Sequence, residues 1–221
     1  MNKGFFVSFE GGEGSGKSIQ ASLLADETLK SLGYKVYLTK EPGAPDIPLN
    51  LAIRKILLSF TTDTIPSLSE FFLFAADRTK HTEVIKQHLK RGEIVISDRF
   101  RDSSDAYQGI GRKVGIIFTK LVNEVATDGL KPNVTFLLDL DPKIGLKRKK
   151  INRQTLNRLD KETLIFHQKV KKAYLKIAKE NRKRIIIIDA DRKTEEIQKE
   201  ILNSILENLA KNKKEIKYDK N

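Results

Sequence analysis

Apolar residues in this chain cluster in five short strand-like runs, separated by longer stretches with the three- and four-residue spacing of helices. Phe5, Phe6, Val7 and Phe9 form a nearly continuous run between Gly4 and Gly11, the pattern of a strand buried on both faces. Lys35 to Thr39, Ile94 to Ser97, Val134 to Leu140 and Ile185 to Ile188 repeat it. Between them the spacing predicts a helix after Ser18, one from Leu49 to about Leu58, and a long one to about Lys90. Further helices are expected to about Thr127, from near Pro142, from about Thr163 to Asn181, and from about Lys193 to Ala210. Ser67-Leu68-Ser69-Glu70 reads as a capping box opening the long helix. Two stretches break the alternation: the proline-rich Glu41 to Pro48, and a polar, basic segment from about Lys149 to Asp160. Strands alternating with helices predict an α/β fold of three layers, a five-stranded parallel sheet with helices on both faces. No repeat or linker divides it. One domain over residues 1–210 is expected, with residues 211–221 as a basic, flexible tail.

Composition narrows the setting more than the chemistry. The 221 residues hold no apolar run of 18, so no membrane span is expected, and the first strand leaves no room for a signal peptide. With no cysteine and three scattered histidines there is no disulfide framework and no zinc site, which fits a reducing cytoplasm. The net charge is +13, from 42 basic against 29 acidic residues. Lys147–Lys150, Lys169–Lys172 and the tail carry much of it, without the interleaved aromatics that single-strand binding needs, so nucleic acid is not an expected partner. The charge fits a solvated shell around a site for anionic phosphates.

The first strand runs into Gly11-Gly12-Glu13-Gly14-Ser15-Gly16-Lys17-Ser18, which matches G-x-x-x-x-G-K-[ST] in full. Glycines let the backbone curl so that its N–H groups face a polyphosphate, and the following helix adds the positive end of its dipole. Lys17 reaches the β- and γ-phosphates in such a loop, and the Ser18 hydroxyl ligates Mg²⁺. Strand before and helix after are the context that distinguishes this P-loop of a nucleoside triphosphatase fold from a chance match.

Within that superfamily, other motifs sort the possibilities. The guanine-reading N-K-x-D has no counterpart ahead of the tail, and no strand ends in the Asp-Glu of ATP-driven machines. One strand ends in Asp98-Arg99, which suits phosphoryl transfer to a bound acceptor: the carboxylate serves Mg²⁺, directly or through water, and the guanidinium grips a second phosphate. On the long helix, Phe71, Phe74, Arg78 and Ile85 share one face, so Arg78 interrupts an apolar stripe. A guanidinium there either forms a buried ion pair or meets a ligand, and the pattern alone favours the ion pair.

The P-loop, Glu41-Pro42-Gly43, Phe74 with Arg78, and Asp98-Arg99-Phe100 leading to Ala106-Tyr107-Gln108-Gly109-Ile110-Gly111-Arg112 occur in an order and spacing that resembles bacterial thymidylate kinases. The similarity extends from the first strand to about Tyr174, and the A-Y-Q-G-x-G-R segment is its most specific part. The resemblance implies ATP as phosphoryl donor with Mg²⁺, dTMP as acceptor, and a homodimer. It implies that Phe74 stacks on thymine, that Arg78 bonds its edge, and that Tyr107 and Gln108 close over base and sugar, with Ser103 among the substrate contacts. Arg99 and Arg54 would hold the dTMP phosphate, Glu13 would face the 3′-hydroxyl and the acceptor phosphate, and Asp98 would help organise Mg²⁺. The basic segment at about 149–160 matches the family's lid, with Arg153 and Arg158 expected to neutralise the transferring phosphoryl group. Some relatives carry an arginine in the P-loop for that task; here the position is Gly14. The chain departs from the family pattern at Lys40, Ala44, Pro45 and Asn157, the last removing a carboxylate next to Arg158. The alternatives are a kinase for another nucleoside monophosphate or small acceptor and, in another class, a nucleic-acid-binding ATPase.

Overall fold

The computed structural model describes residues 4–59, 64–151 and 156–218, with 212–218 as backbone alone. Five parallel strands form one sheet in the order β2-β3-β1-β4-β5: β1 (Phe5–Gly11), β2 (Val36–Lys40), β3 (Ile94–Asp98), β4 (Val134–Asp139) and β5 (Ile185–Asp189). All five lie within a residue or two of the apolar runs that announce them. β1 is central because it is apolar on both sides. Phe5, Val7 and Phe9 point to one face, where they meet Leu24, Ala25 and Leu29 behind the P-loop and Ile197, Ile201, Ile205 and Leu209 of α8 (Thr194–Tyr218). Phe6 points to the other face, against Val95, Phe100 and Ile85. On that same side, further along β1, come Ser8 and Glu10, both buried. The apolar face of β1 thus turns polar as it approaches the carboxyl edge of the sheet, where the loops gather.

The helices are α1 (Lys17–Ser22), α2 (Pro48–Leu58), α3 (Ser67–Lys90), α4 (Arg101–Ser104), α5 (Ile116–Ala126), α6 (Pro142–Ile151) and α7 (Leu164–Glu180), with α8 closing the chain. Wider π-helical turns continue α1 over Leu23–Leu29 and α4 over Asp105–Gly111. Two local expectations are corrected. α3 starts at Ser67, but the Ser67 side chain makes no capping bond, and Glu70 turns away from its own helix end into the protein, so the capping box does not form. α8 runs on through Tyr218 instead of stopping at Ala210. Among the described residues, no helix is long and apolar enough to cross a membrane.

The topology positions the site. β1 lies between β3 and β4, and the chain leaves β1 on one side and β3 on the other, which opens a crevice beyond their carboxyl ends. Phe9 is in register with Asp98, and the Arg99 N–H donates to the Phe9 carbonyl at 2.9 Å. The P-loop and the Asp98-Arg99 pair are therefore held side by side.

Candidate active site

One cleft of about 550 Å³ runs over this edge of the sheet. Its floor is the P-loop. Gly14 and Gly16 take positive φ (68° and 91°), which lets the backbone wrap into the α1 amino end. A side chain at Gly14 has no room: its Cβ would lie 2.1 Å from the Gly145 carbonyl oxygen of α6. This chain therefore cannot carry an arginine there without moving α6. Lys17 donates to the Gly12 carbonyl at 2.7 Å and to Ser15 Oγ at 3.3 Å, curled over the loop. Burial, and then repulsion from Arg99, bring its pKa down to about 8.

Ser18 Oγ donates to Asp98 Oδ2, while the other oxygen, Asp98 Oδ1, is buried with no partner among the described residues. A hydroxyl and a carboxylate with a spare oxygen, beside a phosphate loop, form a hard-oxygen donor set that fits Mg²⁺. Next to them stands Arg99, a non-glycine residue at φ 74°, a left-handed conformation held by its surroundings. Its Nη1 donates to the Gly11 carbonyl (3.1 Å), Ser103 Oγ (3.2 Å) and Tyr174 Oη (3.2 Å), and its Nη2 to Glu13 Oε1 (2.9 Å). The guanidinium also lies 5.2 Å from the centre of the Tyr107 ring. Glu13 accepts from the Tyr107 hydroxyl at 3.0 Å and lies 3.5 Å from Lys149 Nζ. Burial opposes ionisation of Glu13, but Arg99, Lys17 and Lys149 together outweigh it and hold the carboxyl well below the usual range. Behind Arg99, Glu10 accepts from Ser103 and Tyr174 at 2.6 and 2.9 Å, with its pKa raised to about 7 by burial and then by Asp102.

From the P-loop the cleft extends two ways. In one direction lie Arg148 of α6, Ala190, Arg192, Lys193, Thr194 and Ile197. In the other lie Lys40, Pro42, Arg54, Leu58, Phe74, Tyr107, Gln108 and Leu159. Arg54 donates to the Pro42 carbonyl at 2.6 Å. Phe74, buried among Ile53, Leu57 and Leu159, offers the flat wall of this second arm.

Most of the residues expected at the site therefore meet in one cleft: Glu13 to Ser18 of the P-loop, Arg54, Phe74, Asp98, Arg99, Ser103, Tyr107 and Gln108. Gly11 and Gly12 line a small neighbouring pocket instead, Arg78 and Arg158 line neither, and one residue lies outside the described residues. Arg78 is only 1 % exposed and does not line the cleft; it pairs with Glu41 at 2.8 Å and donates to Asn123 Oδ1 at 2.6 Å. Of the two readings its position allows, the buried ion pair is the one observed, because Glu41 at the end of β2 lies opposite it. Arg158 does not line the cleft either. Lacking a carboxylate at Asn157, it reaches across to Glu70 at 2.5 Å and the Leu57 carbonyl at 3.2 Å. Arg153 lies outside the described residues. Sequence reasoning missed Glu70, which accepts from Gln108, Arg112 and Arg158, and Arg148 and Lys149, which read only as part of a basic run. It also missed the arm around Ala190 to Ile197, whose residues carry no motif.

A P-loop set against an Asp-Arg strand end, with a donor arm and a lined acceptor arm in one cleft, defines a phosphotransferase of the nucleoside monophosphate kinase class. The comparisons narrow this to a family. The thymidylate kinase family model matches residues 9–201. A thymidylate kinase of Halothermothrix orenii is 43% identical over 92% of this chain and 97% of its own length, and one of Oenococcus oeni is 42% identical over 95% and 98%. The crystal structure of thymidylate kinase from Ehrlichia chaffeensis superposes with a TM-score of 0.72 at 31% identity, covering 91% of this chain and 98% of that one. The chain belongs to the thymidylate kinase family.

Proposed function

We propose that this enzyme transfers the γ-phosphoryl group of ATP to dTMP, giving ADP and dTDP. The observation that carries the reading is that Lys17 of the P-loop, the Asp98-Arg99 pair and the Arg54, Phe74 and Gln108 side chains line one cleft. The bond between the γ-phosphorus and the β,γ-bridging oxygen breaks while a dTMP phosphate oxygen bonds to the γ-phosphorus. The acceptor is already ionised near neutral pH, so no side-chain nucleophile is required, and positioning and charge neutralisation lower the barrier.

In this reading Lys17 and the P-loop N–H groups hold the β- and γ-phosphates. Arg99 and Arg54 hold the dTMP phosphate, Arg99 from a side chain already fixed by Gly11, Ser103 and Tyr174. Glu13, anchored between Arg99 and Tyr107, faces the acceptor sugar and phosphate. Phe74 stacks on thymine, and Gln108 meets its edge. Ser18 and Asp98 hold Mg²⁺, which when bound screens the charge of the phosphates. Lys149 and Arg148 are the α6 cations that already line the cleft. Arg153 and Arg158 are carried by the lid, and Arg158 must leave Glu70 to reach the phosphates. Arg78 serves the base indirectly, by clamping Glu41 and so the Glu41–Pro48 loop beside Phe74.

The same reading includes a homodimer. α3 and α5 share an exposed apolar face, with Leu68, Phe72, Ile117, Phe118, Leu121 and Val125 open to solvent and Phe72 edge-on to Phe118 at 6.2 Å. It also includes a cytoplasmic location, in keeping with a chain that has no cysteine.

ADP release measured across dTMP, dUMP, dCMP, UMP and AMP tests the reading. Turnover with dTMP, weaker turnover with dUMP and little with the others is expected. Equal rates with all five would reject dTMP as the intended acceptor.

A further inference from the structure

Glu70 is a buried carboxylate whose partner Gln108 lines the acceptor arm, and the proposed phosphoryl transfer gives it no task. It sits in the first turn of α3 with 1 % of its side chain exposed. Its Oε1 accepts from Gln108 Nε2 at 2.7 Å, and Arg112 and Arg158 approach its two oxygens at 3.4 and 2.5 Å. Arg112 is fixed in turn by Glu162 at 2.6 Å and by stacking 4.8 Å above the Phe166 ring.

A side-chain amide has a donor end and an acceptor end, and which end faces a ligand is decided by what holds the other. A carboxylate paired with a guanidinium only accepts, and Arg112 keeps Glu70 paired when Arg158 leaves, so Gln108 must turn its Nε2 toward Glu70. The amide oxygen, Oε1, is then the atom left for the cleft that Gln108 lines. An acceptor in that place favours a ring that presents an N–H and opposes one that presents a lone pair. Thymine and uracil carry a hydrogen on N3; cytosine carries a lone pair there.

We propose that Glu70 is a specificity-determining positioning residue: by fixing the orientation of the Gln108 amide, it makes the acceptor arm select a pyrimidine with an N3–H and reject cytosine. The proposal rests on the reading of that arm as the dTMP site. Replacing Glu70 by an amide of equal size removes the constraint, because that amide can donate to Gln108 Oε1 and allow Gln108 to turn over.

The test is kcat/KM for dTMP, dUMP and dCMP in the wild type, E70Q, Q108L and the double variant. The preference for dTMP over dCMP is expected to fall at least about tenfold in E70Q, with the dTMP-to-dUMP ratio unchanged, since both of those rings carry the N3–H. Any loss common to all three substrates is the structural share of the substitution and cancels in the ratio. In the Q108L background, adding E70Q should change the dTMP-to-dCMP ratio by less than about twofold, because the amide it acts through is gone. An E70Q enzyme with the wild-type ratio overturns the proposal. N3-methyl-dTMP supplies a readout on the wild type alone and does not depend on any variant folding. It should bind at least about tenfold more weakly than dTMP, and equal affinity also overturns the proposal. Absence of any wild-type activity on dTMP would instead bring down the functional reading beneath it.

Discussion

Lys17 is a cation held where its charge is least comfortable: buried, beside Arg99, with the Gly12 carbonyl and Ser15 Oγ as its hydrogen-bond partners among the described residues. Its pKa near 8 lies below the ordinary lysine value, so the free enzyme gives up this proton as the pH rises through about 8. A bound triphosphate favours the charged form and pulls the pKa back up. Between the free and bound values, ATP binding must therefore take up a proton. Calorimetry at about pH 8.5 should show a binding enthalpy that varies with the ionisation enthalpy of the buffer, and Lys17→Met should remove that variation. The same variant should lower kcat by at least about a hundredfold. Buffer-independent enthalpy in the wild type would show that Lys17 keeps its proton when free. Lys17 itself was legible from sequence because its neighbours are within six residues. Arg78, Arg158 and Glu70 were not, because each owes its partner to a distant part of the chain. Glu41 meets Arg78 only when β2 comes to lie beside α3, and Glu70 finds Gln108, Arg112 and Arg158 only when three segments converge. A pattern such as S-x-x-E counts local spacing alone, and here a tertiary carboxylate cluster outweighs the local cap.

At the level of elements, the five strands and the long helices could be read from periodicity because the sheet is buried on both faces and the helices bury one stripe each. Contacts between elements could not. The backbone approach of the P-loop to α6, where a Cβ on Gly145 would stand 2.0 Å from the Glu13 carbonyl oxygen, has no sequence signature beyond two glycines 131 positions apart. The apolar faces of α3 and α5 were half legible. The stripe containing Phe71 and Phe74 is core, whereas Leu68 and Phe72 point outward and join Ile117, Leu121 and Val125. Side chains of this size left open on two adjacent helices fit a helix-on-helix contact with a second copy of the chain. Sedimentation should give a dimer for the wild type, and Phe72→Glu with Leu121→Glu should give a monomer of unchanged helix content. A wild-type monomer at micromolar concentration would remove the dimer from the account.

For the molecule as a whole, the strand order creates the site: with β1 between β3 and β4, the P-loop and Asp98-Arg99 emerge on the same edge and share one cleft. The donor half was written in a contiguous motif, and the acceptor half in residues spread from Arg54 to Gln108, so the second needed family resemblance where the first needed only chemistry. Part of the chain's positive charge lines that cleft, in Lys17, Lys40, Arg54, Arg99, Arg148, Lys149, Arg192 and Lys193. The central claim is that the cleft passes a phosphoryl group from one bound nucleotide to another and not to water. Phosphorus NMR of the enzyme with equimolar ATP, dTMP and Mg²⁺ measures this most directly. The account predicts one dTDP formed for each ADP, with no orthophosphate beyond the enzyme-free control. ADP accumulating with matching orthophosphate, and dTMP unchanged, would contradict it.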